Sequence, residues 1–396
     1  VLDEPSIGLH PANVEGLLGV MRHMQADGNS VLVVDHDADL LRRADWLVEI
    51  GPGSGEDGGS VVVNAPVADA VADPAGLIGP FITGAADVVV RERADAGEVF
   101  AHGSVRLGTA PVHTVHALET RIPEQRLTAV TGVSGSGKTT LVLEALVPAL
   151  ASLESGSPLP APATSLATDA TRRVVVVDAS PIGANVRSTV ATYSGVMDGL
   201  RRVYAALPAA RQAGLGAGDF SYNTGSLRCP HCDGTGQIVL DVQFLPDVDI
   251  VCPDCRGTRY DPRALDIRRT GRDDGEHDGH DDGEHDGHDG GHAEHAGHSD
   301  GGSGGGSLAL PELLALTVEQ ALAATGDLPS VHGRLRMLDD LGLGYLTLGE
   351  TTTALSGGEA QRLKLSADLG RDQHGTLFVL DEPSIGLHPA NVEGLL

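Results

Sequence analysis

The chain has 396 residues, 41% hydrophobic and only 3% aromatic, with a net charge of -28 and four cysteines. That length accommodates two or three domains, with a core built mainly from Val, Leu and Ala. No apolar run approaches the roughly 20 residues of a bilayer span, no signal peptide opens the chain, and so acidic a chain binds DNA only through a local patch. The expected compartment is the cytoplasm, with no membrane partner.

The first residues, Val1-Leu-Asp-Glu4, are an apolar run ending in two acids. Residues 1–18 recur letter for letter as residues 379–396. Internal duplication leaves diverged copies over a long span. A perfect match confined to the two ends points either to a fragment bounded by near-identical motifs or to a sequence whose ends overlap artificially. Val14–Gln25 carries an amphipathic helical pattern. Ser30–Val34 reads as a buried strand followed by Asp35-His36-Asp37. A histidine at that strand end suits a γ-phosphate sensor, against the plainer alternative of a structural histidine. Ala38–Ala44 reads as helix, Trp46–Ile50 and Ser60–Val63 as strands, and Gly51–Gly59 as a turn-rich loop. From Ala65 to about Ser104 the pattern weakens, and a boundary is expected near Ala85–Asp95.

A strand pair begins near Val105 and leads to Val130–Leu141, V-T-G-V-S-G-S-G-K-T-T-L. Gly132, Gly137, Lys138 and Thr139 fit G-x-x-x-x-G-K-[ST]. Leu127–Thr131 before it reads as a strand, and Thr140–Leu150 after it as a helix broken at Pro148. Strand, glycine loop and helix is the order that phosphate binding requires. Glycines let N–H groups converge on phosphate oxygens, and the helix N-terminus adds a positive field. Gly132, Ser134, Gly135, Ser136, Gly137, Lys138, Thr139 and Thr140 are the expected ATP-binding residues, with Lys138 on the β- and γ-phosphates and the Thr139 hydroxyl on Mg²⁺. Lys138 is one of only two lysines, the other being Lys364. Ser152–Thr171 reads as a surface loop, Val174–Val177 as a buried strand, and Gly195–Leu207 as a helix.

Cys229-Pro-His-Cys232 and Cys252-Pro-Asp-Cys255 are separated by nineteen residues. Four thiolates at this spacing, each pair followed by glycines, suit a closed tetrahedral Zn²⁺ site; a redox pair is the alternative. Arg228, Arg256, Arg259 and Arg263 form an expected basic surface, either a DNA contact or a solvated face. Gly271–Ser307 is a His/Asp/Gly linker with eleven acids in Arg272–Asp300, expected to be disordered. Its histidines, His277 and His280 among them, offer loose metal binding as an alternative. Leu308–Leu316, Thr317–Ala324 and His332–Leu341 read as helices. Leu355-Ser-Gly-Gly-Glu-Ala-Gln-Arg362 then places a capping box, Ser356 and Glu359, at a helix start. Gly357 and Gly358 leave N–H groups open to an anion there. Leu377–Leu380 is an apolar strand with Asp381 and Glu382 at its C-terminal end, where ligands of parallel sheets bind. Asp381 suits Mg²⁺, and Glu382 suits orientation of the attacking water.

The stretches T-G-V-S-G-S-G-K-T-T, S-P-I-G, A-T-Y-S-G-V, the knuckles enclosing F-L-P-D, L-S-G-G-E-A-Q-R, D-E-P-S-I-G-L-H and I-G-P-G-S-G-E-D-G-G together resemble the UvrA family of ABC-type ATPases. The resemblance implies an α/β fold: a P-loop ATPase with a parallel-sheet core, a helical signature region and an inserted zinc module. It implies residues 1–86 as the end of a first ATPase module, 87–104 as a linker, and 105–227 as the phosphate-loop part of a second. Residues 228–270 would be the zinc module, 271–307 a disordered linker, and 308–396 the signature region and Asp-Glu strand. It further implies ATP hydrolysis with Glu382 and His36 catalytic, ATP, Mg²⁺ and Zn²⁺ as cofactors, and damaged duplex DNA as partner. A second UvrA-type module or a homodimer would supply the facing signature (Ser356, Gly357, Gly358, Glu359), and a UvrB-like protein would bind elsewhere. Ala179 stands where the family carries a glutamine before S-P-I-G. The alternatives are a UvrA-like drug self-resistance ATPase and a non-hydrolysing, nucleotide-gated binding module.

Overall fold

Short strands and short helices build the fold, with valine-rich strands at Ser60–Pro66 and Arg173–Val177. The computed structural model describes residues 1–6, 9, 11–52, 58–86, 93–183, 185–240, 248–270, 307–369 and 373–384. Two units result: Val1–Ser194 with Met337–Leu346 and Glu350–Leu396, and Gly195–Arg336 with Thr347–Gly349.

The first unit begins with β1 (Leu2–Asp3), α1 (Pro11–Ala26) and β2 (Val33–Val34), with β1 and β2 parallel. Helix α1 buries Val14, Leu18 and Met21 together with Leu40 of α2 (Ala38–Leu41). Those α1 positions follow the i, i+4, i+7 spacing of one helical face. The next strands, β3 (Trp46–Gly51) and β4 (Ser60–Pro66), pair antiparallel. Their inner face buries Leu47 and Val63 under α3 (Val67–Ala70) and α4 (Gly79–Thr83). These two helices lie where the sequence pattern weakens, because four or five residues are too few to display a helical period.

Strand β5 (Ser104–Thr109) is the centre of an antiparallel sheet, flanked by β6 (Leu118–Pro123) and β7 (Ala163–Thr168). β7 corrects the expected surface loop over Ser152–Thr171. The helix after the phosphate loop is not broken at Pro148. It runs as a π-helix over Thr140–Leu146 and continues as α5 (Val147–Ser155), ending on Gly156 at φ 67°. Pro148 falls in the first turn of α5, where its missing N–H costs least. Ala145, Leu146, Ala149 and Leu150 pack on Val105 and Leu107. Burying each leucine contributes on the order of 2 kcal/mol. Next come β8 (Arg173–Val177) and α6 (Val190–Tyr193), the latter with a Thr189–Thr192 capping box.

Glu124 ties the end of β6 to the turn before β8. Its buried carboxylate accepts the N–H groups of Ala170 (2.8 Å) and Thr171 (2.7 Å). Burial works to raise its pKa, but these amides outweigh burial and hold it below the ordinary value. Glu124→Ala orphans both amides and is expected to cost about 1–3 kcal/mol in denaturant unfolding. Because the folded pKa is depressed, this stabilisation is present above the ordinary carboxylate pKa and is lost as pH falls through the folded value. A denaturation midpoint unchanged by the substitution would contradict this role.

The second unit opens with α7 (Val196–Ala206) and α8 (Pro208–Gln212). A hairpin of β9 (Gln237–Leu240) and β10 (Val248–Val251) follows, then β11 (Arg268–Thr270), which pairs antiparallel with β12 (Ser307–Ala309). Helices α9 (Leu310–Leu314) and α10 (Val318–Ala324) come next, and α11 (Pro329–Asp340) leads back toward the first unit's segments. Four of the fully buried side chains here are Tyr204, Tyr222, Tyr260 and Phe220. The few aromatics are therefore concentrated, and Val, Leu and Ala alone do not form this core. The F-L-P-D stretch and residues 271–306 of the linker lie outside the described residues.

Helix α12 (Gly357–Leu369) and strand β13 (Thr376–Leu380) complete the first unit. β13 pairs in parallel with β8, Leu377 beside Val174 and Leu380 beside Val177. Leu127–Thr131 is the expected strand that does not form a ladder among the described residues; Leu127 is 64% exposed. An apolar β-branched run becomes a strand only when a neighbour accepts its backbone hydrogen bonds. Among the described residues β8 and β13 form a sheet ladder only with each other. No helix among them is long and apolar enough to cross a membrane.

Candidate nucleotide and metal sites

The phosphate loop turns tightly because of its glycines. Gly132 (φ 157°), Gly135 (φ 77°) and Gly137 (φ 96°) all hold positive φ. A side chain on Gly132 would meet Ser136 Oγ at 2.7 Å, and one on Gly137 would meet Val115 at 2.6 Å. Ser134 sits in the turn, and Ser136 donates its N–H to Val133 O at 3.1 Å. Lys138 folds over the loop, its Nζ 2.8 Å from Gly132 O and 3.2 Å from Val133 O. Thr139 begins the helical region with no side-chain capping bond, while Thr140 is buried with its hydroxyl 3.4 Å from Glu144. The loop thus opens onto a helix N-terminus with an ammonium beside it, an anion-binding arrangement. Leu141 of this helix packs in the same cluster as Val174 and Leu377, so the loop's helix rests on the β8–β13 pair.

At the C-terminal ends of β8 and β13 the ladder sets Asp178 and Asp381 on neighbouring strands. Asp381 donates its N–H to Val177 O at 3.2 Å, and Glu382 takes φ 48°. Gln361 of α12 bridges the two strand ends, its Nε2 donating to Val177 O (3.0 Å) and Asp381 O (2.7 Å). Lys364, one turn on, reaches Asp178 Oδ1 at 2.6 Å and Ser180 O at 2.8 Å. That ammonium, with the Ser180 hydroxyl, holds the Asp178 carboxyl below the usual carboxylate range. Ser356 and Glu359 close the reciprocal cap: Ser356 N–H to Glu359 Oε2 at 2.6 Å, and Glu359 N–H to Ser356 Oγ at 3.3 Å. Burial works to raise the Glu359 pKa, but the Tyr345 hydroxyl (2.5 Å) and the Ser356 amide outweigh it and lower it. Gly357 passes Ala179 so closely that a Cβ would lie 3.2 Å from the Ala179 carbonyl. The signature-type helix is therefore fastened to both strand ends within one unit. Among the described residues no hydrogen bond or ion pair joins Lys138 or Thr139 to Asp381 or Glu382.

His36 lies at the end of β2, its Nε2 3.5 Å from Glu4 Oε1. Glu4 holds φ 44°, close to the value of Glu382. Asp35 supports this corner by accepting from Ser6 Oγ at 2.7 Å and from the His36 and Asp37 amides. In the sequence Glu4 is marked only as an acid ending an apolar run, and the signal for its likeness to Glu382 is the identity of residues 1–18 with 379–396. Gln361 was likewise legible only as a motif letter. Residues 385–396 of the second copy lie outside the described residues.

In the second unit the β9–β10 register sets Gln237 opposite Val251 and so brings the two cysteine pairs together. All four Sγ atoms lie within 4.8 Å of one another, with Cys229–Cys252 at 4.0 Å and Cys232–Cys255 at 3.6 Å. Tetrahedral zinc with bonds of about 2.3 Å places its sulfurs about 3.8 Å apart, so the donor set fits the ion. The two knuckles are structural twins. Asp233 and Arg256, Gly234 and Gly257, and Gly236 and Arg259 all have positive φ. Thr235 and Thr258 each return a hydroxyl to the carbonyl of the preceding cysteine, at 2.7 and 2.8 Å. His231 and Asp254, also equivalent, meet at 2.8 Å.

The expected basic surface is not formed as drawn. Arg259 is turned inward, 6% exposed, over the Tyr222 ring at 5.2 Å. Arg228 is paired with Asp233 (2.9 Å) and Arg263 with Asp261 (2.9 Å), leaving Arg256 exposed. Asp233 and Asp261 thus neutralise two of the four arginines once the chain folds.

A parallel strand pair with two acids at its end, a phosphate-loop helix packed on that pair and a capped signature-type helix define the ABC class of P-loop ATPase folds, here with an inserted four-cysteine module. No family model matches the chain. It is 37% identical over 400 residues to UvrABC system protein A of Thermus thermophilus, covering all of this chain and 38% of that protein. The corresponding protein of Pseudomonas aeruginosa is 36% identical over 403 residues, again all of this chain and 38% of the relative. Among solved structures, UvrA2 from Deinococcus radiodurans matches with a TM-score of 0.78 at 39% identity, covering all of this chain and 43% of that one. Over its whole length the chain is similar to these UvrA proteins, and it spans 38% of the length of the two curated relatives.

Proposed function

We propose that this chain is part of an ATP-dependent DNA-binding ATPase that recognises damaged duplex in nucleotide excision repair. The observation that carries this reading is the phosphate loop, where glycine-enforced turns, Lys138 and a helix N-terminus converge in a chain homologous to UvrABC system protein A. ATP is held on Gly132 to Thr140. Thr139 and Asp381 hold Mg²⁺, which neutralises phosphate charge when bound. Glu382 orients the attacking water, and His36, 3.5 Å from Glu4, serves as the γ-phosphate sensor. Ser356, Gly357, Gly358 and Glu359 present a capped helix start to the nucleotide of a facing UvrA-type module or a second copy. Cys229, Cys232, Cys252 and Cys255 hold a structural zinc. A UvrB-like protein is a partner of the longer protein. By the same reading residues 1–86 are the end of one ATPase module, and residues 105–227 and 308–396 form the second around the 228–270 zinc module.

Fluorescence anisotropy tests the reading on the 396-residue chain. A labelled duplex carrying a bulky adduct is titrated against its undamaged twin, with and without Mg-ATP. The expected result is nucleotide-dependent preference for the adduct, falling steeply with salt as phosphate contacts dictate. Failure to bind Mg-ATP, or duplex binding indifferent to nucleotide, rejects it.

A further inference from the structure

Arg259 occupies a position whose backbone calls for glycine. Its twin in the first knuckle is Gly236, and the two residues hold similar left-handed conformations, φ 71° and 80°. A non-glycine residue is uncommon there, and the strain persists only where something else holds it in place. The surroundings show what that is. The Arg259 carbonyl accepts the Cys229 N–H at 2.9 Å, and its own N–H is directed to the Cys255 thiol. The side-chain stem crosses the first knuckle so closely that a Cβ on Gly236 would lie 3.2 Å from Arg259 Cγ. The guanidinium is buried over Tyr222 and acts electrostatically on Cys232 and Cys255. A single residue thus touches both knuckles through its backbone and brings a permanent cation to the buried thiols.

We infer that Arg259 is the counter-charge of the metal centre: its buried guanidinium offsets the net charge of -2 that Zn²⁺ carries with four thiolates, and so holds the ion tightly. This rests on the zinc reading above. Zn²⁺ and four thiolates leave two negative charges in a site with little water, where an uncompensated charge is costly. Arg259 supplies one positive charge, and the knuckle amides supply dipoles: Gly236 N–H lies 3.3 Å from Cys232 Sγ. Arginine is suited to the place because it remains charged when buried and stacks on an aromatic face.

The test compares the full chain with Arg259→Lys, Arg259→Met and Arg259→Gly. Zinc affinity is read by competition with a chromogenic chelator, and site geometry by the absorption spectrum of the Co²⁺ form. Arg259→Met keeps most of the packing stem and loses the charge. Arg259→Gly relaxes the backbone, as Gly236 does in the twin. Both are expected to keep a tetrahedral Co²⁺ spectrum but to weaken zinc binding about 10- to 100-fold, the usual range for outer-shell partners of a metal. Arg259→Lys, which keeps a charge, is expected to stay within about threefold of wild type on the same scale. If Met and Lys weaken binding equally, or Met and Gly bind as tightly as wild type, the counter-charge role is wrong. If wild type itself binds no zinc, the zinc reading fails instead.

Discussion

Stripping the metal with a strong chelator, or replacing Cys252 with Ser, is expected to unfold the Arg228–Tyr260 knuckle pair. The four thiols are buried, and among the described residues the partly buried apolar side chain packed against them is Ile238. On the proposed zinc reading, a metal-bonded centre substitutes for a hydrophobic core in so small a region. Apparent zinc binding in comparable peptide sites is worth about 10–16 kcal/mol, and that binding energy is folding energy. Burial pushes the Cys255 thiol up to about 12 and raises Cys229 as well. For Cys232 burial also works upward, but the Gly236 amide and the neighbouring thiols bring it to about 7. Zinc loading must therefore displace protons at neutral pH, so affinity is expected to rise with pH. Metal analysis should return one zinc per chain, and limited proteolysis should cut within 228–260 only after chelation. Unchanged protection after complete metal removal would show that the knuckles fold without it.

Two substitutions at the nucleotide site should separate binding from turnover. Lys138→Met removes the ammonium that lies within 2.8–3.2 Å of the loop carbonyls and faces the site where phosphate would enter. Losing a charge-assisted hydrogen bond of about 1.5–3 kcal/mol corresponds to roughly 10- to 150-fold weaker Mg-ATP binding. Glu382→Gln is nearly isosteric and leaves the loop untouched. It is expected to bind Mg-ATP as wild type does while steady-state hydrolysis falls about 10²- to 10⁴-fold, the range supplied by a positioned general base. Isothermal titration measures the first effect and phosphate release the second. Turnover unchanged in Glu382→Gln would remove Glu382 from the catalytic role and return attention to Asp178, on the neighbouring strand end.

The phosphate loop, the S-G-G-E cap and the twin C-P-x-C pairs were legible as strings, because each depends on local geometry. Positive φ at Gly132 and Gly137, reciprocal bonding between Ser356 and Glu359, and cysteines paired three positions apart are satisfied within a few residues. The strand before the loop was misjudged for the opposite reason. Leu127–Thr131 has strand composition, but a strand is a relation between segments, and none of the described segments pairs with it. Pro148 misled in another way, since a change of helical register places it in the first turn of α5.

By itself, then, the sequence determined the chemistry on offer: a glycine-rich phosphate-loop motif, two acids at a strand end, four thiols and a capped glycine-rich helix start. Only the tertiary structure decided which groups meet. It joined Gln361 and Lys364 to strand ends 184 and 186 residues away. It neutralised Arg228 and Arg263 with neighbouring acids and turned Arg259 inward, toward the Cys232 and Cys255 thiols. Motifs are satisfied by short-range sterics and hydrogen bonds that any local segment can make. Charge pairing and burial depend on distances that the chain sets only once its sheets have formed.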